Sequence, residues 1–399
     1  MRSMTAMSLG RRIGTVLKEE LRSKGEWRDS LMAAAFRAIA ERIPLANLVV
    51  EVRDARIPLS SECEILRNYP LPHKQIIALN KMDLAGASNV KAWVEYFRER
   101  KCISCGVNAH NKENIRQLLS LIQCQVRELK KHDQCDNNYT ATVMLIGIPN
   151  VGKSALTNAL HQVGRINAAE KGKLKHATVS PEPRVTKDIR SFKVNDDEVG
   201  DEWASEGDYV ERAFQIGSHP NIYVLDTPAI LSPKVPNAAV LSKLILTGAV
   251  EDCLLRRKEV AQYFLAIHNS SDQYKKWAKL YTKDNDRSFL NGITEQLTSS
   301  ELLMKHKSQT PTDHTQDCIV QDVRRILFET ISSLEGDIKC EDEMLALIDR
   351  QFSALQETFH VSVECEEDAH DKVAGKLLNL FRTGRIGHYI LDHLPGKIQ

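Results

Sequence analysis

"LIGIPNVGKSALTNAL", residues 145–160, contains the pattern G-x-x-x-x-G-K-[ST] between Gly147 and Ser154. The apolar run TVMLIG (142–147) precedes that pattern and ALTNALHQV, with helical spacing, follows it. Strand, loop and helix in that order are the setting a phosphate-cradling loop requires. Glycines let the backbone curl so that its N–H groups and the N-terminus of the next helix face a phosphate chain. Asn150, Val151, Gly152 and Ala155 are expected to line the loop, Lys153 to bridge the β- and γ-oxygens, and Ser154 to hold Mg²⁺. Such a loop ordinarily follows the first strand of its domain, yet more than a third of the chain comes before it here.

Three further runs, NLVVEV (47–52), QIIAL (75–79) and NIYVL (221–225), are near-continuously apolar and are separated by segments of helical period. That is how parallel strands buried on both faces of an α/β sheet read. Ligands of such sheets bind beyond the carboxyl ends of the strands, so the residues after each run carry the chemistry. DTPAIL follows NIYVL, which puts Asp226 in place to hold Mg²⁺ through water. NKMD, residues 80–83, follows QIIAL. Asp83 can accept from the two N–H donors on the guanine edge, with Asn80 bracing the base, Lys81 along its face and Met82 between them. Adenine presents the opposite donor pattern and would leave Asp83 desolvated and unpaired. The run CISCG (102–106) then reads as a loop whose backbone meets guanine through Ser104, Cys105 and Gly106, with Cys105 where alanine is usual.

In the usual order the phosphate loop comes first, then a switch threonine, D-x-x-G, N-K-x-D and S-A. This chain runs NKMD at 80, the Ser-Cys pair at 104, GIPNVGKS at 147 and DTPA at 226, so it is circularly permuted. Permutation is compatible with the fold because the ends of a domain usually lie close together at its surface. Its consequence is that the segment sensing the γ-phosphate leads straight into the C-terminal region. The expected fold is α/β: a circularly permuted P-loop GTPase domain, a mostly parallel sheet with flanking helices over 28–250, followed by a small helical C-terminal domain over 251–399. An acidic insertion (195–211) and a polar linker (283–317) interrupt them.

Taken together, EVRDARIPLS (51–60), NKMDL, GIPNVGKS, PRVTKDI (183–189), DTPAIL, TGAVEDCLL (247–255) and FRTGRIGHYILD (381–392) resemble the circularly permuted ribosome-biogenesis GTPases. The branch is that of bacterial ribosome biogenesis GTPase A, the mitochondrial ribosome-associated GTPase and plant DAR GTPases. The resemblance implies GTP-dependent maturation of the large ribosomal subunit, with its precursor, rRNA and ribosomal proteins, as the partner. It makes Asn150 the ligand of a K⁺ ion that offsets developing phosphate charge, and Thr186 the switch residue that closes on Mg²⁺. Lys153, Thr186 and Asn150 become the catalytic set, and GTP, Mg²⁺ and K⁺ the bound species. Three departures bear on rate. Ala229 stands for the D-x-x-G glycine, keeping a backbone N–H for the γ-phosphate, and Arg184 replaces the glycine before the switch. Ile230 occupies the place of a water-orienting glutamine, which an aliphatic side chain cannot imitate. The N-terminal F-P-G-H-M signature is also missing, WRDSLMAAAFRAIAERIP (27–44) standing there, so hydrolysis without the partner is expected to be slow.

Bulk charge predicts no nucleic-acid partner, since 54 basic residues meet 53 acidic ones. Local charge leaves room for one: Lys171, Lys173, Lys175, Arg184 and Lys187 crowd the switch region, where rRNA contact and a solvated loop are both open. Lys372, Lys376, Arg382, Arg385 and His388 form a basic end hypothesised to touch rRNA. Nine cysteines scattered through the chain read as reduced thiols. Cys102, Cys105, His132 and Cys135 have zinc-ligand residue types, but the helical segment between the two pairs would hold them apart. No stretch is long and apolar enough for a membrane span, and a monomer is expected. Residues 1–25 carry Arg2, Arg11, Arg12 and Lys18 with no acid before Glu19, the composition of a cleaved organellar transit peptide, with a basic tail as the plain alternative. The matrix of a mitochondrion is the expected location, a chloroplast the alternative. Two other functions fit parts of the pattern: a nucleotide-gated ribosome-binding scaffold with negligible hydrolysis, and a P-loop ATPase or kinase on a small molecule.

Overall fold

The computed structural model describes residues 4–23, 36–69, 74–132, 140–170, 212–218, 221–229, 237–250, 255–278, 318–334, 336–362 and 366–395. Thr186, Arg184, Ile230, Cys135, the lysines of the switch region, the acidic insertion 195–211 and the polar linker 283–317 lie outside the described residues.

Six strands form one sheet: β1 (Leu48–Asp54), β2 (Gln75–Asn80), β3 (Ile103–Gly106), β4 (Thr140–Ile146), β5 (Arg212–Ser218) and β6 (Asn221–Asp226). Their spatial order is β3-β2-β1-β4-β6-β5. All neighbours are parallel except β5, which runs antiparallel to β6 along the edge. The chain builds outward from β1 through β2 to β3, then returns to β4 on the other side of β1. That reversal between β1 and β4 is where an open α/β sheet forms its ligand crevice.

Alternation within the strands sends their apolar residues into cores on both faces of the sheet. Leu48, Val50 and Val52 of β1, with Val143 and Leu145 of β4, enter the main core. Val49, Met144 and Ile146 enter a second cluster with Ile39, Ile43 and Ile65 on the opposite face. Helices α2 (Met82–Ala85) and α3 (Ala87–Glu99) follow β2, and Trp93 and Phe97 pack with Ile77 and Leu79. Helix α4 (Lys112–His132) is unbroken over 21 residues, about 30 Å of rise, so it keeps Cys102 and Cys105 far from its own end. Among the described residues no group of three or more His, Cys, Asp or Glu side chains is arranged to hold a metal ion. Helix α5 (Lys153–Glu170) follows the phosphate loop.

The segment expected to be a leader is a helix, α1 (Met4–Ser23), and it packs on α6 (Ala238–Thr247) and α7 (Arg257–Asn269). Ala6, Leu9, Ile13 and Leu17 recur every three or four residues and are at most 3% exposed, while Arg11 and Arg12 face solvent. Two small residues let the helices approach: a β-carbon on Gly10 would meet the Tyr263 ring at 3.0 Å, and one on Gly14 would collide with the Ala238 backbone. Loss of residues 4–23 would therefore strip one wall from the core.

Helices α8 (Cys318–Ser332), α9 (Glu341–Thr358) and α10 (Glu366–Arg382) complete the helical C-terminal region, with α10 against α7. Inside it Asn269 and Gln351 exchange two amide hydrogen bonds, 3.0 and 2.9 Å. His268 Nδ1 lies 2.7 Å from the Tyr389 hydroxyl. Two residues of the basic end hypothesised to touch rRNA also bond within the chain, while Lys372, Lys376 and His388 stay exposed. Arg382 donates to the carbonyls of Ile245 and Leu246 at 2.7 and 3.2 Å, and Lys376 donates to the Phe359 carbonyl at 3.0 Å. Arg324 Nε reaches the Arg385 carbonyl at 2.9 Å. Beyond α10 the chain runs back across the sheet's carboxyl edge. Tyr389 N–H donates to Leu84 O at 3.1 Å and Leu391 N–H to Arg56 O at 2.8 Å. Asp392 accepts from the Leu59 and Ser60 backbone N–H groups, both at 2.8 Å, and from Lys243 at 2.6 Å. No described helix is long and apolar enough to cross a membrane.

Candidate nucleotide-binding site

The phosphate-loop pattern leaves β4 at Ile146 and enters α5 at Lys153. Gly147 lies against β1, where a β-carbon would sit 2.5 Å from Val52 O. Gly152 has φ +93°, and a β-carbon on it would lie 2.5 Å from Asn80 Nδ2, so both conformation and space demand glycine. Asn150 takes φ 58°, a left-handed conformation that asparagine tolerates. Its Nδ2 donates to the Gly248 carbonyl at 2.6 Å, just past the end of α6, which leaves the carboxamide oxygen as the end able to ligate a cation.

Lys153 folds back into its own loop, its ammonium donating to the carbonyls of Gly147 and Ile148 at 3.0 Å each. Burial drives its proton affinity down to about 8 although Asp226 pulls the other way. A phosphate oxygen would supply the counter-charge that two neutral carbonyls do not. Ser154 and Ala155 open α5 and are exposed. Asp226 ends β6, and its Oδ1 is buried without a hydrogen-bond partner. An orphaned buried carboxylate oxygen near the ammonium of Lys153 fits a site for a hydrated Mg²⁺ ion. Ala229 lies three residues on and is exposed.

The base-reading segment converges on the same loop. Asn80, 2% exposed at the end of β2, donates to Val151 O at 2.8 Å and accepts from Ala109 N–H at 3.2 Å. Lys81 has φ 59°, and its ammonium donates to the Asn150 carbonyl and lies 3.2 Å from Asp54 Oδ2. Met82 is half-buried beside the Trp93 cluster, and Asp83 is exposed in the first turn of α2.

Ser104, Cys105 and Gly106 are not in a loop. They belong to β3, where Cys105 pairs with Ala78 and Gly106 with Leu79. Ser104 donates to Val94 O at 3.4 Å, and burial pushes the Cys105 thiol up to about 12. A β-carbon on Gly106 would lie 2.6 Å from a Val90 methyl carbon. The backbone that reaches Asn80 comes later, at Ala109, in the turn after Val107. The Asn108-Ala109 pair just past the strand was the available signal.

Sequence reasoning also left four charges after residue 50 without a role. Glu51, Arg53, Asp54 and Arg56 are all at most 4% exposed. Arg53 pairs with Glu51 at 2.8 Å, and Arg56 grips Asp54. Buried charge of this density persists only when paired, and each of these four has a partner two residues away.

The profile of the 50S ribosome-binding GTPase family matches residues 142–298. DAR GTPase 2, mitochondrial, of Arabidopsis thaliana is 50% identical over 97% of this chain and 95% of its own length. Short integuments 2, mitochondrial, of the same plant is 36% identical over 93% of this chain and 90% of its length. Ribosome biogenesis GTPase A of Bacillus licheniformis is 27% identical over 77% of this chain and 96% of its length.

Proposed function

The chain belongs to the circularly permuted ribosome-biogenesis GTPases, and from that premise we propose that it binds and hydrolyses GTP while assisting assembly of the mitochondrial large ribosomal subunit. One observation carries the reading: the Asn80 carboxamide donates to the Val151 carbonyl, so the two motifs written in reversed order meet within one hydrogen bond. A nucleotide across that junction puts its base beside Asp83 and its phosphates over Lys153. The base then lies against the turn holding Asn108 and Ala109.

Mg²⁺, when bound, neutralises phosphate charge in the transition state. Ser154 and Asp226 are the described residues that would hold it, with Thr186 assigned to it by resemblance. Lys153 exchanges its loop carbonyls for phosphate oxygens, and the loop N–H groups stay aimed at the β-phosphate. Asn150 offers its carboxamide oxygen to K⁺. Since no side chain at position 230 can orient water, turnover without the ribosomal partner is slow.

The names of the plant relatives support a mitochondrial location, and we assign the matrix. The packing of α1 supports a protein that keeps residues 4–20 in its folded form, whatever part they play in delivery. Single-turnover GTP hydrolysis, with and without purified large-subunit precursors and K⁺, tests the proposal. Acceleration by the precursor is expected. Equal rates would leave the scaffold reading, and equal binding of ATP and GTP the small-molecule kinase.

A further inference from the structure

Asp54 ends β1 at the reversal of the sheet, between the base-reading strand and the phosphate-loop strand. Its carboxylate is fully engaged. Oδ1 accepts from the Arg56 backbone N–H and from Arg56 Nε, each at 3.0 Å, and Oδ2 accepts from Arg56 Nη2 at 2.8 Å. Oδ2 also lies 3.2 Å from Lys81 Nζ. Ala55 N–H donates to Asn80 O at 2.8 Å, so the backbone holds the carboxylate in register with the NKMD turn.

Lys81 needs such a holder. Its left-handed backbone is uncommon for a residue with a β-carbon, and burial lowers its affinity for its proton. Asp54 supplies the opposing charge. Burial works against the Asp54 charge too, but Arg56 and Lys81 overrule it and hold the carboxyl at about 2.

Arg56 is fixed in turn from the C-terminal region. It is 1% exposed, with its guanidinium 5.4 Å from the centre of the Phe381 ring and Nη2 3.4 Å from Thr247 O at the end of α6. A planar fork held through Nε and Nη2 beside the Phe381 ring presents the carboxylate in one orientation.

We propose that Asp54 is a positioning residue for guanine recognition, its carboxylate locked by Arg56 and holding Lys81 along the face of the base. This deepens the GTPase reading and rests on it. The test is a double-mutant cycle on the full chain, measuring GDP and GTP dissociation constants for Asp54→Asn, Lys81→Ala and the double variant. Each single change is expected to weaken binding by roughly tenfold, the scale of one charge-assisted hydrogen bond. The double variant is expected to bind no more weakly than Lys81→Ala, because Asp54 acts through Lys81. Additive losses, or wild-type affinity in Asp54→Asn, overturn the proposal; a general loss of packing would give the former. If Asp54→Asn does not fold, Arg56→Lys enters the same cycle with the same non-additive expectation. Wild-type protein that binds ATP as tightly as GTP removes the guanine reading itself, whereas retained GTP preference with additive losses removes only the role of Asp54.

Discussion

A β-carbon placed on Gly14 would lie 1.9 Å from the carbonyl oxygen of Ala238, so the backbones of α1 and α6 meet without an intervening side chain. Contact this close tolerates no added atom, and any larger residue must push α1 off the core. Gly14→Leu is expected to lower stability by about 2 kcal/mol in urea unfolding. Thr15→Leu, on the exposed side of the same helix, should stay within about 0.5 kcal/mol. Equal effects of the two would mean that α1 is not seated as described.

Retention of α1 makes a separate prediction. Mass spectrometry of the protein recovered from organelles should find peptides within residues 4–20. A mature N-terminus beyond Ser23 would contradict it.

His268 gives the stability of the C-terminal region a dependence on pH. Full burial drives the imidazole's proton affinity from its ordinary 6.5 down to about 3, so the folded chain keeps it neutral. Between those values the unfolded chain binds a proton that the folded chain refuses. Stability therefore falls as pH drops below 6.5, by up to about 1.4 kcal/mol per pH unit from this group. His268→Gln keeps a polar partner for Tyr389 and should remove that share of the slope. Urea midpoints at pH 7.5 and pH 5 compare the two; parallel slopes would refute the assignment.

Arg382 satisfies carbonyls in the last turn of α6, where the helix dipole also favours a cation. Arg382→Met retains the stem and removes the charge. A loss of about 2 kcal/mol in unfolding free energy is expected, the cost of leaving such acceptors unpaired. A loss of ribosome binding with stability unchanged would instead restore Arg382 to the RNA-facing role.

Asp83 is exposed in the first turn of α2, open to a partner that is not protein. Asp83→Asn should reduce GTP affinity by about a hundredfold or more and raise affinity for xanthosine triphosphate, since the amide turns one of the carboxylate's two acceptors into a donor. Competition binding checks both directions. An unchanged preference for GTP would place base recognition elsewhere.

Much of this architecture was legible in the sequence because strands buried on both faces are mostly apolar, and the charges that do enter β1 are paired. Val49 and Val50 point to opposite clusters, so the run reads as near-continuously apolar, with Glu51 the exception. β5 was not legible: RAFQIGS lies on the edge, antiparallel to β6 alone, and carries no continuous apolar run. The base-contacting loop was misplaced because Ser104 and Cys105 resemble it in composition, and only their pairing with β2 reveals a strand. Residues 1–25 were ambiguous for a physical reason. A helix with one apolar and one basic face suits an import signal and a core wall equally; the spacing of Gly10 and Gly14 was the feature that favoured the wall. Asp54 and Arg56 were quoted for resemblance but given no task, since their fixing partners, Thr247 and Phe381, are supplied by distant chain.

The return of the C-terminus across Leu84 and Arg56 sets an order of events for a nascent chain. Every strand of the sheet has been synthesised by residue 226, yet Leu84 O and Arg56 O acquire their partners only when Tyr389 and Leu391 have emerged. A polypeptide stalled or clipped before residue 389 keeps both motifs that would embrace the nucleotide and lacks the strap behind them. The guanine end is thereby closed by chain made long after the motifs that form it.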